Sequence, residues 1–538
     1  MRHSAGMNLD GHSIIAGKPA PAGTKTFHAI SPLDGARLAP DFHEATAADV
    51  DHAVRQAEEA SEHFRRMPEL ARADFLDTIA NEIMALGDKL LLRAHVEAGL
   101  PLDRLTGERA RTCGQFKAFA ALIREGSWVD ARIDTAMPER QPLPRADIRR
   151  MLVPLGPVGV LGASNFPLAF STAGGDTASA FAAGCPVIVK AHPAHPGTSE
   201  LVARAIYRAM EICHIPHGVF SLLHGTGADA AQELVRHPLL RALGFTGSQR
   251  AGRALFDTAA ARPEPIPVFA EMGSLNPVFL LPGTLKEHGE ALAQALKNSF
   301  TLGVGQFCTK PGLLFALGGS DFEKFAAHFR VQVRGAAPAT MLHGGICDAF
   351  YASLDRLKKL KGVVVLAESD TDADQSRAQG EPVAFATDVE NFLLHRELQE
   401  EVFGPFTLLV TARSVNELEA AARSLAGQLT ATVHGLPGEI AQFGDLIHVL
   451  ERKAGRVLIN GYPTGVEVCP AMQHGGPYPA TTDARYTSVG TAAIHRWVRP
   501  VCWQNFPEAS LPDAVRNANP RGILRTLNGV LTRDPIAV

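Results

Sequence analysis

What this 538-residue chain lacks narrows its class before any motif is read. It has no CxxC pair, and its seven cysteines (Cys113, Cys185, Cys213, Cys308, Cys347, Cys469 and Cys502) show no local spacing to histidine that suits zinc, so no metal is expected. An odd, scattered set of thiols in a large chain points to a reducing compartment, and a cytoplasmic protein is expected. No run of about 18 apolar residues occurs, so no membrane span is expected. The amino-terminal MRHSAGMNLDGHSIIAG has no sustained apolar stretch and does not read as a signal peptide. A formal net charge of −4 gives no electrostatic reason to expect nucleic acid or an anionic membrane as partner. What remains is an ordinary globular composition, 46% hydrophobic and 20% charged, on a chain too long for one core. Two or three domains are expected.

The first part reads as helical. Thr46-Ala-Ala-Asp49 is a capping-box variant, and Val50, Ala53, Val54, Ala57, Ala60 and Phe64 follow at helical spacing. A second stripe carries Leu76, Ile79, Ile83 and Leu86. Residues 131–150 are polar and proline-bearing, and read either as a linker or as an extended arm that pairs with the segment around 490–504. From 157 the texture changes. VGVLGAS, PVIVKAH, VFSLLHG, ALGFTG and IPVFAEMG alternate with helix-length segments, as right-handed βαβ crossovers with a parallel sheet demand. A second series begins after about 275 with NPVFLLP and runs through GLLFALGG, VVVLAE, PVAFATD and FTLLVTA to RVLING. The fold class is therefore α/β, two parallel-sheet domains facing across a cleft, where ligands collect at strand carboxyl ends.

Five segments carry residues suited to chemistry. VGQFCTKPG places Cys308 beside Phe307, and taken alone such a cysteine is most often a small buried hydrophobe. GASNFP puts Asn165 just past a strand, either as an oxyanion donor or as a turn asparagine bonded to its own backbone. Glu271 ends an apolar strand, as a general base or as half of a buried ion pair. Lys190 closes PVIVK, as a ribose anchor or as a lysine reaching for solvent. FTGSQRAGR joins a strand to a helix, so the amides of Gly247 and Ser248 face a site for a pyrophosphate, although the GxGxxG spacing is missing.

In this order along the chain, over roughly residues 20–505, these segments resemble the aldehyde dehydrogenase superfamily. The resemblance implies Cys308 as nucleophile, Glu271 as general base, Asn165 as oxyanion donor, Lys190 as ribose ligand and Gly247-Ser248 as the phosphate turn. EEVFGP (400–405) adds Glu401 for the nicotinamide ribose and Phe403 beside the ring. It also implies NADP or NAD as cofactor, and at least a homodimer or a dimer of dimers. The domains would be a dinucleotide-binding domain from 1–130 and 157–272, a catalytic domain at 273–489, an oligomerisation arm from 131–156 and 490–504, and a C-terminal extension at 505–538. ASNFPLAFSTAGGDTASAFAAGCPVIVKAHPAHPGTSE and GGPYPATTDARYTSVGTAA look like the branch holding 2-oxoglutarate semialdehyde dehydrogenases, with NADP-dependent fatty-aldehyde dehydrogenases nearby.

The implied reaction oxidises an aldehyde to a carboxylate through a cysteine thioester, with 2,5-dioxopentanoate as the expected substrate. A medium- or long-chain fatty aldehyde is the alternative. A CoA-acylating relative is disfavoured by Glu271, which suits water. A cysteine hydrolase needs a histidine beside the thiol, and the sequence marks none of its 21 histidines for that role. Where NAD-preferring relatives have a glutamate three residues after the lysine, this chain has Pro193, so NADP is permitted. Arg485 is open to two readings, an anchor for a substrate carboxylate or a surface ion pair.

Overall fold

The computed structural model describes residues 9–536. The first eight positions of the amino-terminal segment read above, and the last two of the carboxyl-terminal extension, lie outside the described residues. Apolar runs bounded by glycine and proline become strands, and two seven-stranded sheets organise the chain. The first is ordered Val268–Glu271, Ala242–Thr246, Val158–Leu161, Val187–Lys190 and Phe220–Leu223, all parallel, and ends in the antiparallel hairpin Ile14–Ile15 and Lys18–Pro19. Valines such as Val158, Val187 and Val189 are fully buried, because helices cover both faces. Each such side chain contributes about 1.5–3 kcal/mol.

The second sheet is ordered Val364–Glu368, Val383–Asp388, Phe406–Ala412, Leu313–Leu317, Val278–Leu280, Gln428–His434 and Ala454–Ile459. Only its first strand is antiparallel to its neighbour. The helix Ala47–Arg66 begins at Thr46 with the expected capping box, and its six expected core residues are buried. The expected second stripe is buried on and just after Glu69–Ala85.

Residues 131–150 resolve as an arm. Strands Arg132–Asp134 and Ile148–Pro154 are antiparallel, and Val498–Gln504 pairs with the latter along its whole length. The extension after 505 is woven into the same sheet through Arg525–Leu527 and Val530–Thr532, while Leu511, Val515 and Ile523 are buried. Parallel register then positions the site. Leu161 stands beside Lys190 and Phe245, and Thr246 beside Glu271, so the carboxyl ends carrying Asn165, Lys190, Ser248 and Glu271 share one edge of the first sheet.

Candidate active site

The cysteine loop is built by a sharp reversal after helix Pro282–Thr301. Gly303, Val304 and Gly305 all adopt left-handed backbone, with φ of 56, 57 and 64°. A Cβ at Gly305 would lie 2.2 Å from the Gly404 carbonyl oxygen, so only glycine lets this loop close on the 400–405 turn. Asn276, fully buried in GSLNP, donates through Nδ2 to the carbonyls of Cys308 (2.9 Å) and Lys310 (3.0 Å), and its Oδ1 accepts from Ser274 and Thr430. The loop is thus pinned from its backbone, leaving the half-buried thiol free.

Three functional side chains meet at that thiol. His474 Nε2 lies 3.4 Å from Cys308 Sγ and 3.0 Å from Glu271 Oε1, and both His474 and Glu271 are buried. Ser488 Oγ donates to the other Glu271 oxygen and, at 3.1 Å, to the His474 carbonyl. Burial alone would push the Glu271 carboxyl up. The charge of His474, with hydrogen bonds from His474, Ser488 and Cys308, overcomes this and holds it below its ordinary 4.5. Burial also pushes the Cys308 thiol well above its ordinary 9.0, and Glu271 and Glu401 push the same way against a smaller pull from Arg111. The donor atoms of Glu271, Cys308 and His474 lie within 4.8 Å of one another, a set able to hold a divalent ion that local spacing along the chain does not show.

Asn165 approaches the same loop from the first sheet, its Nδ2 donating to the Gln306 carbonyl at 3.1 Å. The helix Leu102–Glu125 holds its turn. Arg104 donates to the Asn165 carbonyl at 2.6 Å, and Glu108 accepts from the backbone of Leu168 (2.8 Å) and Ala169 (3.0 Å). Arg104 also lies over the rings of Phe166 and Phe307, at 5.2 and 4.8 Å.

A cavity of about 330 Å³ opens at the thiol, lined by Asn165, His192, Gly247, Ser248, Glu271, Cys308, Glu401 and Phe403 among others. Ser248 caps helix Gln249–Ala260 by accepting from Ala251, so the helix amino terminus faces this space. Glu401 packs against Gly273, where a Cβ would meet its carboxylate at 2.5 Å. Burial raises the Glu401 carboxyl, and the buried Lys310, tied to the carbonyls of Val402 and Phe406, opposes that. The amide-bearing helix end suits a phosphate of a dinucleotide. Lys190 stands apart from this lining. It is buried at its strand end, burial pulling its ammonium down to about 8 against the opposing charge of Glu44. Glu44 accepts from the Thr226 amide and hydroxyl and lines a second cavity of about 380 Å³ with Gly225 and Gly227.

The structure therefore gathers Cys308, Glu271, Asn165, Gly247, Ser248, Glu401 and Phe403 about one cavity and sets Lys190 beside a neighbouring one. Arg485 is exposed, gripped by Asp483 at 2.9 Å and stacked over Tyr486, and belongs to the surface. His474 and Glu44 were missed. MQHGG has no periodicity to mark its histidine, and Glu44, on the segment leading into the first helix, is far from Lys190 in sequence.

Residues 20–478 match the description "Aldehyde dehydrogenase family". The chain is 49% identical over 525 residues to alpha-ketoglutaric semialdehyde dehydrogenase 2 of Azospirillum brasilense, covering 97% of this chain and 99% of that protein. It is 46% identical over 526 residues to alpha-ketoglutaric semialdehyde dehydrogenase of Acinetobacter baylyi, covering 98% and 99%. Among solved structures, PnpE from a Pseudomonas species superposes with a TM-score of 0.76 at 22% identity, covering 93% of this chain and 98% of that one. HpcC from Thermus thermophilus gives 0.78 at 24% identity, covering 92% and 93%. The chain belongs to the aldehyde dehydrogenase family.

Proposed function

We propose that this protein oxidises 2,5-dioxopentanoate to 2-oxoglutarate with NAD(P). The observation that carries this reading is the junction of one thiol, one carboxylate and one imidazole beside a cavity that a helix amino terminus faces, in a chain nearly half identical to two proteins named for that semialdehyde. NAD(P), when bound, supplies the hydride acceptor, and Gly247, Ser248, Glu401, Phe403 and Lys190 are the residues that hold it.

The chain's own groups do the rest. Cys308 Sγ adds to the aldehyde carbon, and its proton passes into the Glu271–His474 pair that contacts it. A thiol held above its ordinary range gives up its proton only as the bond forms, so a base in contact lowers the barrier. The Asn165 amide and the Cys308 backbone N–H take the developing oxyanion, a contribution of about 3–4 kcal/mol per donor in comparable sites. Glu271, kept ionised by its partners, deprotonates the water that hydrolyses the thioester to a carboxylate.

Glu44 bears on the choice of cofactor. A carboxylate beside Lys190 suits a ribose diol and repels a 2′-phosphate, which favours NAD over NADP. The domain boundaries given by the resemblance, a cytoplasmic setting and assembly as a homodimer or dimer of dimers belong to the same reading. Initial rates of NAD(P)H formation test it, crossing both cofactors with 2,5-dioxopentanoate, succinic semialdehyde, butanal and a long-chain aldehyde, with Cys308→Ala as blank. A kcat/KM at least about tenfold higher for 2,5-dioxopentanoate with NAD, worth roughly 1.4 kcal/mol, is expected. A preference for the long aldehyde would overturn the substrate.

A further inference from the structure

The cluster at Cys308 deals with the aldehyde end of a substrate and leaves its other end unaddressed. The helix Leu102–Glu125 carries Arg104, Glu108 and Arg111 on one stripe, and the first two hold the Asn165 turn. Arg111 continues the stripe. Its guanidinium carbon lies 5.8 Å over the Phe170 ring, and its Nη1 donates to the Val466 carbonyl at 2.7 Å. From the outermost strand of the second sheet, Arg456 donates to the same loop, to the carbonyls of Pro463 (2.8 Å) and Gly465 (3.0 Å). Two guanidinium groups from two different sheets' surroundings thus converge on Pro463–Val466, the segment that leads to His474.

Both are half-buried, and Nε of each is enclosed without a hydrogen-bond partner. The buried Arg496 meets Asp176 at 2.6 Å and Arg93 meets Glu97 at 2.7 Å, whereas neither Arg111 nor Arg456 forms an ion pair among the described residues. A half-buried guanidinium without a counter-ion is costly to maintain, and a bound anion relieves that cost. Both charges act on the Cys308 thiol. Arg111 also answers to Glu108 and Glu467, and burial pulls each arginine down. In 2,5-dioxopentanoate, four C–C bonds of ~1.5 Å separate the aldehyde carbon from the carboxylate carbon, a span of about 5 Å. From Phe307 beside Cys308, the rings of Phe166 and Phe170 lead in steps of 5.5 and 5.3 Å to Arg111, so such a molecule extends from the thiol toward this guanidinium.

We propose that Arg111, seconded by Arg456, is the seat of the substrate's carboxylate and so the determinant of semialdehyde over neutral aldehyde. This rests on the substrate reading above. Nη2 of Arg111 makes no hydrogen bond among the described residues, and with the neighbouring N–H it offers the fork that carboxylates fit. Arg456 spends both terminal nitrogens on the loop and contributes charge and loop position.

The test compares wild type, Arg111→Gln, Arg111→Lys and Arg456→Gln on 2,5-dioxopentanoate, succinic semialdehyde and butanal, and measures 2-oxoglutarate binding by calorimetry. Arg111→Gln is expected to raise KM for 2,5-dioxopentanoate at least about thirtyfold, the loss expected of a charge-assisted pair. Its kcat falls far less, 2-oxoglutarate binding is lost, and the effect on butanal is at least about tenfold smaller, a difference of ~1.4 kcal/mol in recognition. Arg111→Lys, which keeps the charge without the fork, falls between. Arg456→Gln moves in the same direction by less. Equal losses on semialdehyde and butanal in a variant with unchanged melting temperature would overturn the proposal, as would retained 2-oxoglutarate binding. A wild type that favours succinic semialdehyde, with Arg111→Gln still losing selectively, would overturn the 2,5-dioxopentanoate reading and leave the carboxylate seat standing.

Discussion

At Cys308 two electrostatic demands conflict, and the conflict predicts how the thiol reacts. Burial and the carboxylates Glu271 and Glu401 favour the neutral thiol and hold it above its ordinary range. If Glu271 were the base for the thiol, Glu271→Gln would slow its alkylation. The electrostatics predict the opposite, because the Glu271 charge opposes thiolate formation. Alkylation of Cys308 by iodoacetamide at pH 8, followed by mass spectrometry, is expected to run faster in Glu271→Gln, because loss of that charge lets the thiol fall toward its ordinary range. Turnover should collapse in the same variant, since thioester hydrolysis loses its base. The pH dependence of stability follows from the same carboxylate. Glu271 has its carboxyl lowered in the fold, so its contribution is complete above 4.5 and disappears as pH falls through the depressed value. Melting temperatures of wild type and Glu271→Gln should therefore converge on acidification.

The element that governs reactivity is the loop after Pro282–Thr301, where three successive left-handed residues turn the chain. Left-handed backbone costs a residue with a Cβ about 1–2 kcal/mol, and Val304 bears that cost. Gly305→Ala adds the same cost and drives a methyl into the Gly404 carbonyl, displacing the turn that carries Glu401 and Phe403. Loss of more than about 1 kcal/mol of stability is expected, read as a lower denaturant midpoint. KM for the cofactor should rise together with a fall in kcat, since both loops border one cavity. Little of this could be read from sequence. VGQFC announced a cysteine loop, but the contact with Gly404 joins segments far apart along the chain. Apolar runs such as VGVL and LLFAL were legible as strands because every residue in them faces a hydrophobic layer. QLTATVH was not. Gln428, Thr430 and Thr432 are buried polar residues, and Gln428 accepts from the backbone of Leu275 and Asn276, so a strand paired on both sides wears a loop's composition. His474 and Arg111 were hidden for a related reason, because their partners come from distant elements and leave no local pattern.

At the scale of the whole molecule, the proposed assembly is expected to run through the arm. Its five-stranded sheet ends in the strand Val530–Thr532, where Val530 and Leu531 are each 66% exposed, and Phe506, nearby in sequence to the opposite edge strand, is 46% exposed. A sheet edge with open backbone donors beside exposed apolar side chains is a template for another chain. A net charge of −4 on so large a chain offers little repulsion against a second copy. The far edge of the second sheet, Ala454–Ile459, also lacks a further strand among the described residues, and it holds Arg456 and runs into the loop that carries His474. Pairing at that edge would stiffen the wall of the site, so assembly and activity are expected to be linked. Light scattering on the purified protein should give two or four times the 57.4 kDa chain mass. The double variant Val530→Glu, Leu531→Glu should shift the distribution toward smaller species, with a fall in specific activity on dilution. A wild type that scatters as a single chain while fully active would show that the arm serves only to close the fold, binding the chain's last strands over the helical layer beneath them.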